Sequence, residues 1–463
     1  MHTNQHLLNK LIPLILLFIL VPLLLAAGLS KLGDWKINNN ISFGDKILLP
    51  NECLSDQKKQ GVIYYQNSDF PKAVEQFNSS LSSSKECRND PESLIYKNNS
   101  EIGDAHKYIT IAALVPISRE TNNALEMLRG FAKAQDDINK TNGINGLLLK
   151  IAIIDDEDNP KLARKIARTI SEDDNYLGAI GHWTSDVSLA AASVYDRKKM
   201  PFITPISTTN KLSGDKYKYA HQININNYNG AEVLADYLIP KNIKKVAIFY
   251  TSQSTYSKGI KERFSTFFDL GSDGEIVKTF NFDRWRFNSF QSVNKAKNEG
   301  AEAILIATDN KSLDKAYEVI KAVKKVNSNI LLLGDLANLY SLETLKPNRE
   351  ADGMVMAVSW HPNIDDTSKN FFDESEKLWG GAVNYATAMS YDAIEAFMQA
   401  IKNLQEKNIN TTRDNINNQL SNKDFTFQGS TDSRGIINKT VKLVKVEDGK
   451  FIYLDSKVIN QTF

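Results

Sequence analysis

Short apolar segments alternate with amphipathic helical segments from His106 almost to the C-terminus, and this alternation constrains the fold more than any other feature of the chain. Strand, helix and strand in succession predict parallel sheets covered by helices on both faces. The predicted helices include 124–139, 161–171, 229–238 and 313–326, and the predicted strands are 108–114, 149–154, 178–181, 201–203, 246–250, 276–280, 303–307, 330–333 and 353–358. Nine strands are more than one doubly wound sheet usually contains, so we expect two α/β domains that face one another.

Two of the predicted strands end in hydroxyl-rich turns. Thr184 and Ser185 follow strand 178–181, and Ser207 and Thr208 follow strand 201–203. Ligands of open α/β sheets bind beyond the carboxyl ends of the strands, and the first N–H groups of a helix beginning near Ser185 favour a negative charge. Helix capping alone would also explain Thr184 or Ser185. Two neighbouring polar turns exceed what one cap requires, so we expect an anion such as a carboxylate there.

The sequence does not indicate catalytic or metal chemistry. The strand-to-helix turn at 181–186, GHWTSD, is called the elbow below. It lacks the G-x-S-x-G pattern of a nucleophilic serine, and His182 is interpreted as a packed, hydrogen-bonded histidine. The acidic turn of Asp155, Asp156 and Asp158 lacks the spacing of a calcium loop and is expected to cap the helix that starts near Pro160. There is no zinc-type Cys/His spacing and no phosphate-binding loop, so no metal or cofactor is implied. Lys and Arg number 56 and Asp and Glu 55, which gives no reason to expect a nucleic acid as partner.

The N-terminus decides the expected compartment. Residues 11–27, LIPLILLFILVPLLLAA, form an uncharged apolar run that follows one basic residue, Lys10. This pattern is typical either of a secretory signal, which is cleaved, or of a membrane anchor, which is retained. Pro13 and Pro22 interrupt the run, which argues against a buried core helix. We therefore expect a periplasmic protein that is exported by this segment or anchored to the membrane through it.

A small helical module is predicted next. Residues 31–52 are largely polar and are interpreted as a linker, and residues 53–104 are expected to contain a helix pair. The residues whose spacing resembles a tetratricopeptide helix pair are Gly61, Tyr64, Ala73 and Phe77. Such a short segment cannot form a long binding groove, so the module is either a spacer or a docking site.

The chain contains two cysteines, Cys53 and Cys87. An exported chain with two cysteines can form one disulfide. In an antiparallel helix pair the start of the first helix lies near the end of the second. Because the two cysteines occupy these ends, we expect a disulfide between them.

Three stretches together resemble a known family. VPISRETNNALEMLRGFAKAQDDINKTNGING resembles its opening strand, loop and helix, IIDDEDNPKLA its acidic turn, and IGHWTSDVSLAAASVYDRKKMPFITPISTTNKLS its next two strands and turns without a gap. From about Ile109 onward the chain is similar to type I periplasmic binding proteins, the extracellular solute-binding proteins of ABC transporters for branched-chain amino acids. The GH-x-x-SD-x-SLAA pattern and the tetratricopeptide-like segment also resemble a cyanobacterial subgroup of this family.

The resemblance implies that an amino acid is held between two lobes that close around it. Ser185 matches the serine that binds the ligand carboxylate, and Ile206 matches a residue with main-chain contacts to the ligand. Thr208 matches a threonine that contacts the ligand, and Tyr256 matches a tyrosine on the second lobe. Trp183 stands where the family has an apolar residue that lines the ligand.

The resemblance assigns the ligand's ammonium group to an acid on the second lobe. Asp335 is the first choice, although it is shifted by one position from a gapless alignment, and Asp309 is the alternative. Asn123 replaces a common aromatic contact in the opening loop, so a polar amino acid is as well matched as a branched-chain one. Trp360 and His361 are expected either to wall the cleft or to pack in the core.

The implied fold is α/β and two-lobed, with two doubly wound parallel sheets joined by a hinge and a small α-helical module before them. The expected divisions are a signal or anchor at 1–30, a linker at 31–52, the helical module at 53–104, lobe 1 at 106–226 and 359–432, and lobe 2 at 227–358 and 433–463.

The expected function is capture of an amino acid or similar small zwitterion for an ABC permease, without enzymatic activity. One alternative is a membrane-tethered ligand sensor that signals through protein contacts, for which residues 53–104 are the candidate surface. A second is an interaction protein whose lobes no longer bind small molecules.

Overall fold

The computed structural model describes residues 37–49, 53–104, 107–212, 216–271, 273–326, 329–335, 337–346, 350–431, 434–435 and 441–454. Within these ranges the chain forms two main β-sheets. The first has the order β1-β3-β2-β4-β5-β6, with strands Ile41–Ser42 (β1), Tyr108–Val115 (β2), Leu148–Asp155 (β3), Tyr176–Gly181 (β4), Phe202–Thr204 (β5) and Ala220–Gln222 (β6). All of its pairings are parallel except β1 with β3. This sheet is the core of lobe 1.

The second sheet has the order β15-β14-β11-β10-β9-β7-β8 and is the core of lobe 2. Its strands are Lys245–Tyr250 (β7), Glu275–Asn281 (β8), Ala303–Ala307 (β9), Leu331–Gly334 (β10), Val355–Val358 (β11), Lys442–Glu447 (β14) and Lys450–Leu454 (β15). The pairings are parallel from β8 to β11 and antiparallel where β14 and β15 complete the sheet. A short antiparallel pair joins Thr426–Phe427 (β12) to Arg434–Gly435 (β13). The nine strands predicted from the alternation are all present, with ends that shift by two residues or fewer.

Helices cover both sheets, as the alternation predicts. In chain order they are Asp56–Gln66, Phe70–Ser83, Lys85–Arg88, Pro91–Ile102, Thr121–Lys140, Pro160–Glu172, Ser185–Arg197, Asn227–Asp236, Thr255–Gly271, Ser289–Asn298, Leu313–Val326, Asp366–Trp379, Tyr385–Glu406 and Arg413–Leu420. After β11 the chain leaves the second sheet for the helix Tyr385–Glu406, which packs against Thr121–Lys140 of lobe 1. It then returns to lobe 2 through β14.

The segment expected to be a linker at 31–52 is in part a component of lobe 1. Ile41 and Ser42 form β1, which pairs with β3 at the edge of the sheet, and Leu49 is fully buried. The linker prediction is therefore wrong for residues 37–49. A strand of two residues is too short for a periodic pattern, and its apolar neighbours stand between polar residues that hide the signal.

The helical module contains the predicted helix pair. A Cβ atom on Gly61 would lie 2.7 Å from the ring of Phe77, so only glycine permits this approach of Asp56–Gln66 to Phe70–Ser83. Asp69 caps the second helix by accepting from the backbone N–H of Lys72. Cys53 and Cys87 form the expected disulfide.

The module packs directly on lobe 1 through Asn99 of the helix Pro91–Ile102. The Asn99 amide nitrogen donates to the Ile151 carbonyl at 2.8 Å, and its oxygen accepts from the Ile151 N–H at 3.1 Å. The same oxygen accepts from Gln135 Nε2 at 2.8 Å. Asn99 thus occupies the hydrogen-bonding positions that a further strand would take beside β3.

The apolar run Leu11–Ala27 lies outside the described residues. Among the residues that are described, no helix is both long enough and apolar enough to cross a membrane.

Candidate functional site

The elbow after β4 depends on backbone conformations that few residues adopt. Gly181 has a φ of +143°, and a Cβ atom there would lie 2.1 Å from the Leu114 carbonyl oxygen. His182 follows with a φ of +59° and is fully buried. Its Nδ1 lies 2.6 Å from Asp156 Oδ2 and its Nε2 lies 3.3 Å from the Tyr195 hydroxyl. His182 is therefore the packed, hydrogen-bonded histidine that was predicted.

The acidic turn after β3 does not cap the next helix, contrary to expectation. Asn159 caps Pro160–Glu172 instead, because its side chain accepts from the N–H groups of Lys161 and Leu162. Asp155 accepts from Ser118. The neighbouring pair acts on the elbow: Asp156 holds His182, and Asp158 Oδ1 accepts from the Thr184 hydroxyl at 2.6 Å.

The start of the helix Ser185–Arg197 has no side-chain cap among the described residues. Thr184 is the cap residue, but its hydroxyl donates to Asp158 and accepts from none of the helix N–H groups. Ser185 is the first helical residue and its hydroxyl accepts from Ser207 Oγ at 3.2 Å. The helix N-terminus is thus left available to an anion, and the capping interpretation of Thr184 and Ser185 is not realised.

The second hydroxyl-rich turn lies beside the first. The Ser207–Ser185 hydrogen bond joins the two turns. The Ile206 carbonyl accepts from Asn224 Nδ2 at 3.0 Å, which fixes the backbone of the turn. Thr208 is buried, and its hydroxyl has no hydrogen-bond partner among the described residues. A buried hydroxyl without a partner is costly unless a ligand satisfies it.

Lobe 2 contributes Tyr256, the second residue of the helix Thr255–Gly271. Ser257, the next residue, links two strand ends. Its hydroxyl donates to the Ala307 carbonyl at 2.6 Å and accepts from the Thr251 N–H at 2.8 Å. The serine therefore supports the position of Tyr256 without entering the cleft.

The two candidate acids of lobe 2 have different positions. Asp309 lines the cleft and accepts from the N–H of Ser312 at 3.0 Å. Asp335, the first choice from the sequence, is fully buried and does not line the cleft as described here. Its carboxylate accepts from the N–H groups of Thr308, Ala337 and Leu339. The loop of Asp335 reaches the cleft through Ala337 and Asn338, whereas the Asp335 side chain turns back onto the backbone.

Trp360 and His361 pack in the core and do not line the described cleft. Trp360 Nε1 donates to the Ser430 carbonyl at 3.1 Å, and its ring packs edge-on against Phe371. His361 Nε2 lies 3.1 Å from the Phe451 carbonyl oxygen. Of the two interpretations left open for this pair, core packing is the one observed.

A cavity of about 230 Å³ lies between the lobes, at the carboxyl ends of both sets of parallel strands. This is below the 300–1,000 Å³ typical of drug-sized ligands, and so fits a smaller molecule. Six of the predicted site residues meet there, and the sequence analysis missed several others. The predicted residues are Trp183, Ser185, Ile206, Thr208, Tyr256 and Asp309, and the missed ones include Glu120, Asp158, Asp283, Lys311, Asn338 and Tyr385.

Tyr385 is the most informative of the missed residues. It begins the helix Tyr385–Glu406, is buried, and its hydroxyl has no hydrogen-bond partner among the described residues. It stands far from the other site residues in the sequence, and no motif distinguishes it from a core tyrosine. Only the packing of its helix against lobe 1 brings it to the cleft.

Burial raises the pKa of three carboxyl groups in the cleft, those of Glu120, Asp158 and Asp309. The pKa of Asp158 is raised to about 6, with the nearby charges of Asp156 and Glu120 as further causes. These acids therefore hold their protons more tightly than in water until a positive charge arrives. No group of His, Cys, Asp and Glu side chains suited to a metal ion occurs among the described residues.

Comparisons with known proteins agree with this architecture. A sequence profile described as "Periplasmic binding protein" matches residues 108–450. An "Amino acid binding protein" of Pseudomonas aeruginosa is 30% identical over 135 residues, which is 29% of this chain and 36% of that protein. The leucine-, isoleucine-, valine-, threonine- and alanine-binding protein of the same organism is 27% identical over 200 residues, 42% of this chain and 52% of the relative. The aligned regions thus span about a third to a half of these relatives.

Solved structures share the fold at low sequence identity. A substrate-binding protein of an ABC transporter from Desulfitobacterium hafniense, in complex with Leu, has a TM-score of 0.63 at 22% identity and covers 75% of this chain and 100% of its own. A branched-chain amino acid transporter substrate binding protein from Streptococcus pneumoniae, in complex with isoleucine, has a TM-score of 0.64 at 20% identity, covering 74% and 98%. With the profile match over most of the chain, the two-lobed fold and the interlobe cleft, the chain belongs to the periplasmic binding protein family of type I.

Proposed function

We propose that this protein captures an amino acid or a related small zwitterion between its lobes and delivers it to an ABC permease in the membrane. The proposal rests on one observation: groups that suit an anion lie on lobe 1, and a carboxylate that suits a cation lies on lobe 2, across the cleft. Lobe 1 presents an uncapped helix N-terminus at Ser185 and the unpartnered hydroxyl of Thr208, both of which suit a carboxylate. Lobe 2 presents the Asp309 carboxylate, which suits an ammonium group.

Placing the donors and the acid on separate lobes makes closure depend on the ligand. A zwitterion that touches both lobes stabilises the closed arrangement, and a ligand that touches one lobe does not. The small cavity and its aromatic residues Trp183, Tyr256 and Tyr385 suit a ligand of amino-acid size. Nothing in this arrangement requires a cofactor or a chemical step.

The test is a thermal-shift screen of the purified protein against the common amino acids, with sugars and small amides as comparison sets. A true ligand at about 100 times its Kd adds roughly 2.7 kcal/mol to the free energy of unfolding. A shift produced by sugars and by no amino acid would rule out the zwitterion.

Ser185→Ala provides the matched test of the carboxylate site. This variant should weaken binding about tenfold, because one hydrogen bond to a charged group is lost, while it leaves the unliganded melting temperature nearly unchanged. Ser188→Ala is the control, since Ser188 is buried on the same helix and its hydroxyl does not face the cleft. Equal affinity of the Ser185→Ala and Ser188→Ala variants would remove Ser185 from the site.

Transport is tested separately from binding. Deletion of the gene should abolish uptake of the labelled ligand by intact cells. Retained uptake together with the loss of a ligand-dependent cellular response would favour the sensor alternative. The relatives named for amino acid binding and for ABC transport support the transport assignment, and the apolar run Leu11–Ala27 supports export to the periplasm.

A further inference from the structure

The cleft contains more negative charge than a simple zwitterion needs. Its described lining includes five carboxylates and one cationic side chain, Lys311. The five acids are Glu120, Asp158, Asp186, Asp283 and Asp309. The whole chain is nearly balanced, with 56 Lys and Arg against 55 Asp and Glu, so the local excess does not follow from composition. A cleft lined by one sign of charge concentrates ligands of the opposite sign.

Neutral donors hold three of these acids, Glu120, Asp158 and Asp283. Glu120 accepts from Asn123 Nδ2 at 3.2 Å, and Asp158 from the Thr184 hydroxyl at 2.6 Å. Asp283 accepts from Ser252 Oγ at 2.8 Å and from the N–H of Gln253 at 2.9 Å. Within the described part of the chain, none of the five has a Lys, Arg or His nitrogen within the 4.0 Å of an ion pair. The charge of Lys311 acts on Glu120, Asp158 and Asp309, so a single positive charge in the described lining faces five carboxyl groups.

Two buried hydroxyls show independently that the cavity is built to receive a ligand. Thr208 is 2% exposed and Tyr385 is 3% exposed. Both line the cavity, and neither hydroxyl has a partner among the described residues. The aromatic side chains of Trp183, Tyr256 and Tyr385 also line it, and aromatic faces attract cations.

On the basis of the proposed function, we propose that the ligand is a basic amino acid, with an ammonium or guanidinium group on its side chain. Ser185 and Thr208 bind the carboxylate and Asp309 binds the α-ammonium group. The Glu120 and Asp158 pair on lobe 1 receives the second cation. Both carboxylates line the same cavity, and the charge of Glu120 contributes to the raised pKa of Asp158, so a cation bound beside them relieves this repulsion and forms new hydrogen bonds.

Isothermal titration calorimetry of the purified full-length protein tests this proposal with matched ligand pairs. L-arginine is compared with L-citrulline, which has nearly the same shape and no side-chain charge, and L-lysine with L-norleucine. The cationic member of each pair should bind about tenfold or more tightly at low ionic strength. The preference should shrink as salt is added, because the charges lie in an open cleft.

Variants identify the carboxylates responsible. Glu120→Gln and Asp158→Asn should each reduce the arginine-to-citrulline preference several-fold, and both keep an oxygen that can accept the existing hydrogen bond. Glu299→Gln is the control, since Glu299 is exposed at the end of the helix Ser289–Asn298 and does not line the cleft. An unchanged preference in both cleft variants would overturn the assignment of the second cation to this pair.

The outcomes separate this inference from the proposed function. If citrulline, norleucine or leucine binds as tightly as the cationic amino acids, the second charge is not recognised and the inference is wrong, while amino acid capture stands. If none of these binds but another amino acid gives a thermal shift, the inference is wrong and amino acid capture stands; if no amino acid binds in either experiment, both are wrong.

Discussion

His182 Nδ1 lies 2.6 Å from Asp156 Oδ2, and both side chains are fully buried. Asp156 Oδ1 also accepts from the N–H of Asp158 at 2.8 Å. The pair therefore joins the elbow after β4 to the acidic turn after β3. It fixes the backbone that presents Thr184 and Asp158 to the cleft.

The Asp156→Ala variant should lower the free energy of unfolding by about 3 kcal/mol, because His182 Nδ1 and the Asp158 N–H lose the carboxylate that they contact. Urea denaturation monitored by fluorescence measures the change. Asp174→Ala, at an exposed position on the same lobe, is the control and should stay within about 0.5 kcal/mol of the parent. A loss below about 1 kcal/mol for Asp156→Ala would mean that the pair contributes little.

Asp309→Asn should weaken ligand binding by at least about tenfold, because it removes the charge that faces the ligand's ammonium group. Asp335→Asn, in the neighbouring loop, should change affinity far less because its carboxylate faces backbone N–H groups outside the cleft. Calorimetric titration of both variants with one ligand provides the comparison. The reverse order of effects would restore Asp335 as the ammonium ligand.

Asp335 should instead make stability depend on pH. Burial raises its pKa from 3.8 to about 6 in the folded state, so the folded chain holds this proton more tightly than the unfolded chain. Its stabilisation is fully present below about pH 4 and is lost as pH rises through 6, a change of about 3 kcal/mol. Denaturation between pH 4 and 7.5 should show a steeper decline for the parent than for Asp335→Asn. Parallel curves would contradict the raised pKa.

The strands and the elbow could be predicted because each leaves a local pattern: an apolar run, then small and polar residues where it ends. Ser185 and Thr208 belong to such patterns, and parallel pairing brings them together. Asp335 also follows a strand, but the direction of its side chain depends on a loop whose N–H groups form its site. Glu120 lies in the loop after β2, where a ligand contact could have been expected, whereas Tyr385 reaches the cleft only through the packing of its helix.

Asn99→Ala should lower the free energy of unfolding by about 2–4 kcal/mol, since the Ile151 N–H and carbonyl and the Gln135 amide lose their partner inside the protein. Asn98→Ala is the neighbouring control, because Asn98 is buried on the same helix and its side-chain nitrogen has no partner among the described residues. Chemical denaturation of the two variants gives the difference. Equal stability would show that the module only rests against lobe 1.

The edge strand β1 and the Asn99 amide affect how readily the chain aggregates while it is being synthesised. A sheet edge with unpaired backbone groups invites other chains to add strands, which is a common start of aggregation. In this protein β1 and Asn99 cover the edge at β3, and both precede β3 in the sequence. During synthesis the residues that cover this edge are therefore made before β3 itself, and a version of the protein that began at β2 would expose the edge.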